Sequence, residues 1–305
     1  SLNIEKYDEW KDDKIFIEDV MRFLDNVMSD FINRAPDSFS NAKYSAMRER
    51  SVGLGVMGLH SFFQQKNIPF GSVMSKVWNQ KIFKHIQEKA DQASVKLAEE
   101  RGSCPDAEEY GIKERFSNKT AIAPTASISV ICGGASPGIE PIAANSYTHK
   151  TLSGSFNVRN KYLAKILEKH NKNDDETWSS ITTNQGSVSH LDFLTDIEKD
   201  TFKTAFEIDQ RWIVELGADR TPNISQAQSI NVFVPADIHK KDLHQIHFQA
   251  WKKGLKSLYY CRSKSIQRAE NVNTGSSTDV TKNVYKAKEE STNEENKYEE
   301  CLSCQ

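Results

Sequence analysis

The chain has 305 residues, 37% of them hydrophobic and 27% charged, with 40 basic and 42 acidic side chains and a formal net charge of −2. That is enough apolar chain for one large domain or two modest ones with a true core, which excludes disorder as the dominant state. The near balance of charge excludes a global field that draws nucleic acid or an anionic membrane, and no run approaches the roughly 18 to 20 apolar residues of a bilayer span.

The start, Ser1-Leu-Asn-Ile-Glu-Lys6, has neither the basic nor the apolar region of a secretory signal. A Ser start is expected where an initiator Met has been removed or a longer chain has been cut. The five cysteines, Cys104, Cys132, Cys261, Cys301 and Cys304, are too few for a disulfide scaffold, and a reducing cytoplasm fits them best.

From Glu18 to about Ile32 the residues Val20, Phe23, Leu24, Val27, Met28 and Phe31 recur at three- and four-residue steps, predicting an amphipathic helix docked on something apolar. Gly53-Leu-Gly-Val-Met-Gly58 matches G-x-G-x-x-G, but the polar Arg48-Glu-Arg50 precedes it where a dinucleotide site needs a hydrophobic strand. The run is therefore expected to let a helix pack closely. A second helix is predicted from about Lys76 to Arg101, with Val77, Ile82, Ile86, Ala90, Ala93 and Leu97 on one face, Ser75 as N-cap and Gly102 as its stop. Cys104, in Arg101-Gly-Ser-Cys-Pro-Asp106, reads as a surface-turn thiol, and Cys132 and Cys261 as core or near-site residues.

Lys119 to Pro124 reads as a short buried strand that delivers Thr125-Ala-Ser-Ile-Ser129 and the loop Gly133-Gly-Ala-Ser-Pro-Gly138. Helices are expected near Asn160 to His170 and Asp196 to Gly217. Then come a strand at Ser229 to Pro235, a helix from Asp237 to about Lys253 and a strand at Lys256 to Cys261, a βαβ unit whose strands are most simply parallel. The alternation predicts an α/β fold. Residues 1–268 form the expected body. From Glu270 the composition changes to 8 acidic and 4 basic residues among Asn, Ser, Thr and Gly, which predicts a flexible, solvated tail over 269–305.

Four features could carry chemistry. Pro124-Thr-Ala-Ser-Ile-Ser129 offers hydroxyls, small side chains and a following helical turn, which suits a phosphate but also an ordinary capped turn. Tyr259-Tyr260 could pass a redox hole if the rings stack, although successive residues of a regular strand face opposite sides, so stacking requires a bend; packing alone is the plainer reading. Cys301-Leu-Ser-Cys304 is a C-x-x-C suited to dithiol exchange, with no second pair to complete a zinc site. Forty-one residues separate Tyr260 from Cys301, and a flexible chain of that length spans about 35 Å r.m.s.. His239, His244 and His247 lie among Lys240, Lys241 and Asp242 and read as a solvated helix face rather than a metal site.

Taken in order, Arg50 to Gly58, Ala123 to Ser129, Gly138-Ile-Glu-Pro141, Ser225-Gln-Ala-Gln-Ser-Ile-Asn231, Leu258-Tyr-Tyr260 and the terminal C-x-x-C resemble the large subunit of class I ribonucleotide reductase, specifically its C-terminal half. The resemblance implies the second half of a ten-stranded α/β barrel, a parallel five-stranded half with its helices. It implies substrate-diphosphate binding by Thr125, Ala126, Ser127 and Ile128, the last radical-transfer steps at Tyr259 and Tyr260, and a reducing shuttle at Cys301 and Cys304. The implied partners are an N-terminal half of the large subunit, a small subunit that holds the metal-radical cofactor, thioredoxin or glutaredoxin, and a ribonucleoside diphosphate. No metal or cofactor is expected on this chain itself.

The departures from the family pattern are as informative. No cysteine here sits in the motif of a thiyl-forming finger loop, and the N-terminal cone that in the family binds allosteric nucleotides is expected to be missing from this chain. The chain alone is therefore expected to be inactive. A second reading, of another class, is a non-catalytic redox carrier whose body docks a partner and whose tail exchanges dithiols.

Overall fold

The computed structural model describes residues 1–151 and 154–263. In chain order its elements are β1 (Leu2–Asn3), α1 (Tyr7–Trp10), α2 (Phe16–Arg34), α3 (Ser40–Glu49), β2 (Val56–Met57), α4 (Leu59–Gln65), α5 (Val73–Arg101), α6 (Pro105–Glu109) and α7 (Ala126–Ile131). There follow β3 (Ser146–Thr151), β4 (Gly154–Arg159), α8 (Lys161–Lys169), α9 (Asp175–Thr183), α10 (Asp196–Thr201), α11 (Gln210–Arg220), β5 (Val232–Val234), α12 (Lys240–Lys252) and β6 (Cys261–Ser263). The α/β expectation is met, and the boundary expected at residue 268 lies outside the described residues.

β1 pairs in parallel with β2, and β5 in parallel with β6. Parallel bridges from Leu54 to Thr120 and from Ile122 to Gln228 join these ribbons. Extended segments at 2–3, 54–57, 120–122, 228–234 and 261–263 thus lie side by side, all running the same way. Lys119 to Pro124 contributes bridges at Thr120 and Ile122 rather than a continuous strand, and Pro124, which lacks an N–H, ends the pairing. One departure is the antiparallel hairpin of β3 and β4.

The glycine run at 53–58 is extended and not helical. A Cβ on Gly55 would lie 2.4 Å from the Ala121 carbonyl oxygen, so close approach of neighbouring backbones is what requires glycine there. Gly58, at φ +84°, turns the chain into α4.

The main core gathers β1, β2, α2, α4, α5 and α11 around Ile4, Met21, Leu59, Phe63, Ile82, Phe83 and Leu97. α8, α9 and α10 bury a satellite core around Leu163, Trp178, Ile181 and Phe202, and α11, β5 and α12 a third around Val214 and Val232. α2 forms as the periodicity predicts, but only part of the predicted stripe docks. Ile17 and Met21 are buried and Val20, Leu24 and Met28 pack on the core, while Phe23, Val27 and Phe31 are exposed. α5 begins three residues earlier than expected. Ser72 is its N-cap in a capping box with Ser75, which occupies the third helical position. Val77 is exposed and the rest of the predicted face is buried.

The helix expected from Asp196 to Gly217 is broken in two. Phe202 and Ala205 turn into the interior, the Ala205 N–H donates to the Ile142 carbonyl, and Asp209 caps a new start at α11. Cys104 is fully buried rather than a surface thiol: it caps the start of α6, its N–H donates to the Glu114 carbonyl and its carbonyl accepts from the Glu108 N–H. Cys132 and Cys261 are exposed, so of the core and near-site readings the core one fails for both; the Cys132 N–H donates to the Ile128 carbonyl and Cys261 follows Tyr260. Among the described residues no helix is long and apolar enough to cross a membrane.

Candidate functional site

Thr125 takes the left-handed conformation, φ +56°, immediately after Pro124 ends the third extended segment. Its Oγ1 accepts from the Gly138 N–H at 2.7 Å, tying the end of the small-residue loop back to its beginning. The loop is also held against the ends of β1 and β2. The Gly58 N–H donates to the Ser136 carbonyl at 2.7 Å, and Ser61 and Ser136 exchange side chain to backbone bonds at 3.1 and 2.9 Å. α7 then starts at Ala126. No group among the described residues accepts from the N–H groups of Ala126, Ser127 and Ile128. Ser127 and Ile128 are exposed, whereas Ser129 is buried and bonded to the Ala126 carbonyl at 3.1 Å. The structure therefore gathers Thr125, Ala126, Ser127 and Ile128 into one turn with donors facing outward, a geometry that can hold an anion.

Tyr259 and Tyr260 lie beside Ile230, Asn231 and Val232. Their ring centres are 4.1 Å apart with the planes 52° to one another, and Tyr259 Oη is 3.4 Å from Tyr260 Oη. Both are partly exposed. The rings meet at a tilt rather than in a flat stack, and they do so just before regular β6 begins at Cys261. The Tyr259 N–H donates to the Ile230 carbonyl at 2.8 Å and the next N–H, of Tyr260, to Asn231 Oδ1 at 2.9 Å. In a regular strand successive N–H groups point to opposite edges. Here both turn to the same neighbour, which brings successive side chains together.

Asn231 and Glu140 belong to the motifs quoted from the sequence, yet sequence reasoning gave them no role. Asn231 is buried between Ile230 and Val232, and its Nδ2 donates to Glu140 Oε1 at 2.5 Å. Burial pushes the Glu140 carboxyl above its usual range, against the opposing pull of the Asn231 bond and the charge of Arg262. The Arg262 guanidinium lies over the Tyr260 ring, 5.6 Å from its centre. A polar amide inside an apolar strand is the signal that could have singled out Asn231.

Cys301 and Cys304 lie outside the described residues. His239 caps α12 by accepting from the Lys241 N–H at 3.1 Å, His247 Nδ1 contacts the Leu243 carbonyl at 2.8 Å, and His244 stacks on Phe248. Among the described residues no group of three or more His, Cys, Asp or Glu side chains is placed to hold a metal ion.

A family model described as ribonucleotide reductase, barrel domain, matches residues 1–114 and 106–261. The chain is 49% identical over 278 residues to the ribonucleoside-diphosphate reductase large subunit of Invertebrate iridescent virus 6, covering 90% of this chain and 29% of that protein. It is 42% identical over 281 residues to the large subunit of Invertebrate iridescent virus 3, covering 91% and 44%. Among solved structures, the class Id ribonucleotide reductase alpha subunit of Actinobacillus ureae superposes with a TM-score of 0.80 at 40% identity, over 86% of this chain and 48% of that one. The chain thus spans less than half the length of each of these relatives. On the family match and these identities, the chain belongs to the ribonucleotide reductase barrel-domain family.

Proposed function

We propose that this chain is the C-terminal part of a ribonucleoside-diphosphate reductase large subunit, contributing the substrate-phosphate turn, a tyrosine relay and a dithiol pair to the reduction of ribonucleotides to deoxyribonucleotides. The five parallel segments are then one half of a ten-stranded barrel, and a second polypeptide segment supplies the other half and the thiyl-forming cysteine. The single observation that carries this reading is the tyrosine pair, with rings 4.1 Å apart and phenol oxygens 3.4 Å apart. That geometry suits a transfer in which one phenol gives up an electron and a proton while the neighbouring tyrosyl oxygen takes up one of each.

In this reading the diphosphate of the substrate sits on the N–H groups and hydroxyls of Thr125, Ala126, Ser127 and Ile128. The relay begins at a metal-radical cofactor held by a small subunit. Cys301 and Cys304 re-reduce the active-site disulfide and are themselves reduced by thioredoxin or glutaredoxin.

The deciding assay mixes this chain with the N-terminal half of a corresponding large subunit and a small subunit, and follows reduction of a ribonucleoside diphosphate. Turnover in the mixture and none with the chain alone is expected; a folded, associated and inactive mixture would overturn the proposal. Within an active mixture, Ser127→Tyr abolishes turnover by covering the turn. Cys301→Ser blocks turnover with thioredoxin but permits it with a small dithiol that enters the site directly, and equal rates with both reductants would remove the pair from the mechanism.

A further inference from the structure

We infer that Asn231, with its amide oriented by Glu140, is the positioning residue that seats the Tyr259 and Tyr260 rings side by side. The inference rests on reading those tyrosines as a relay and adds what sets their geometry. Left to regular pairing, residues 259 and 260 would place their rings on opposite faces of the strand. What departs from regular pairing is one bond, from the Tyr260 N–H to a side chain rather than to a carbonyl.

The neighbouring bonds leave Asn231 little freedom. The Tyr259 N–H is held by the Ile230 carbonyl at 2.8 Å, and the Val232 N–H donates to the Tyr260 carbonyl at 2.9 Å. The backbone on both sides of Asn231 is thus fixed to the tyrosine segment, and its side chain is the group that can reach the remaining N–H. An amide can flip, presenting nitrogen where oxygen is needed. Glu140 prevents this, because a buried carboxyl oxygen 2.5 Å away accepts only from the nitrogen end and so holds Oδ1 toward Tyr260. Glu140 in turn stands two residues beyond Gly138, whose N–H is bound by Thr125. The positioning of the tyrosine pair and the closure of the substrate turn therefore share one short stretch of backbone.

The test uses this chain with selectively labelled tyrosine and reads the inter-ring cross-peaks between Tyr259 and Tyr260 by NMR. Asn231→Ala loses them. Glu140→Ala weakens them, while Glu140→Gln, which keeps an acceptor oxygen, retains them. Asn145→Ala is the control for general loosening: Asn145 is equally buried and bonds the Gly186 and Phe202 carbonyls, away from the pair. It leaves the cross-peaks in place.

Unchanged cross-peaks in a folded Asn231→Ala chain would overturn the inference, as would equal loss in Asn145→Ala. Should Asn231→Ala fail to fold, the two Glu140 variants decide, since equal ring contacts in both would also overturn it. In the reconstituted reductase, kcat falls about 100-fold in Glu140→Ala with KM unchanged, the effect expected of a displaced reacting group. An inactive wild-type mixture would count against the reductase reading alone, because the ring contacts are measured without turnover.

Discussion

Asp25 and Glu140 are both buried carboxyl groups, and their surroundings drive them in opposite directions. Asp25, on α2, receives Arg50 Nη2 at 2.6 Å, Arg101 Nη1 at 2.7 Å and Arg115 Nε at 2.9 Å. Burial alone would raise its carboxyl, but the hydrogen bonds from Arg115, Arg101 and Arg50 outweigh burial and hold it below its ordinary range. Arg115 also bonds the Arg101 and Gly102 carbonyls, so this hub ties α2 to the end of α5. Glu140 has one amide and, among the described residues, no arginine within salt-bridge distance, and burial wins. The same chemical group therefore clamps helices in one region and directs a hydrogen bond in the other, according to how many cations reach it.

The largest expected effect comes from breaking the first region. Asp25→Ala leaves Arg50 and Arg115 buried without their carboxylate, and a loss of about 3–5 kcal/mol in urea unfolding is expected. A loss below about 1 kcal/mol would show that the arginines find other partners.

Acid sharpens the contrast. His60, fully buried beneath the Glu140 segment, accepts the Ile142 N–H on Nδ1 at 3.0 Å, and burial lowers its pKa to about 3. The unfolded chain takes up this proton near pH 6.5 and the folded one does not, so stability is full above that pH. It then falls by about 1.4 kcal/mol per pH unit toward pH 3. Asp25 adds its own loss only below about pH 4, where the unfolded carboxyl protonates. A urea midpoint that stays flat from pH 6.5 to 5 would contradict the placement of His60.

Arg101→Ala removes the most exposed of the three arginines and costs less than about 1 kcal/mol. The smallest effect has the opposite sign. Because burial raises the Glu140 carboxyl, its ionised form opposes folding, and this opposition grows as pH rises through the carboxyl range. Glu140→Gln therefore gives a small increase in Tm at pH 7 that vanishes at low pH; a decrease at pH 7 would mean that the charge itself is needed.

Much of this was legible from residue order. The three- and four-residue steps over about 18–32 and 76–101 identify the helices found at 16–34 and 73–101 because a helix repeats its faces at that interval, and Gly102 stops the second as expected. The turn at Thr125 to Ile128 followed from small hydroxyl residues after a proline. Local pattern misled where the partner was distant. Gly53 to Gly58 resembles helix packing until Ala121 is placed beside Gly55, and Cys104 resembles a surface thiol until its bond to the distant Glu114 draws it inside.

What the sequence by itself determined is the long helices α2 and α5, the α/β alternation, the small-residue turn, the parallel sense of β5 and β6 and the family resemblance, all carried by neighbours within a few residues or by motif order. Tertiary structure alone decided the opposite directions in which the two buried carboxyls are shifted and the side-by-side tyrosine rings. Both depend on groups far apart in the chain, Asp25 on Arg115 and Tyr260 on Asn231 and Glu140. Electrostatic and hydrogen-bond energies vary with distance in space, which residue order does not specify until the core brings those segments together.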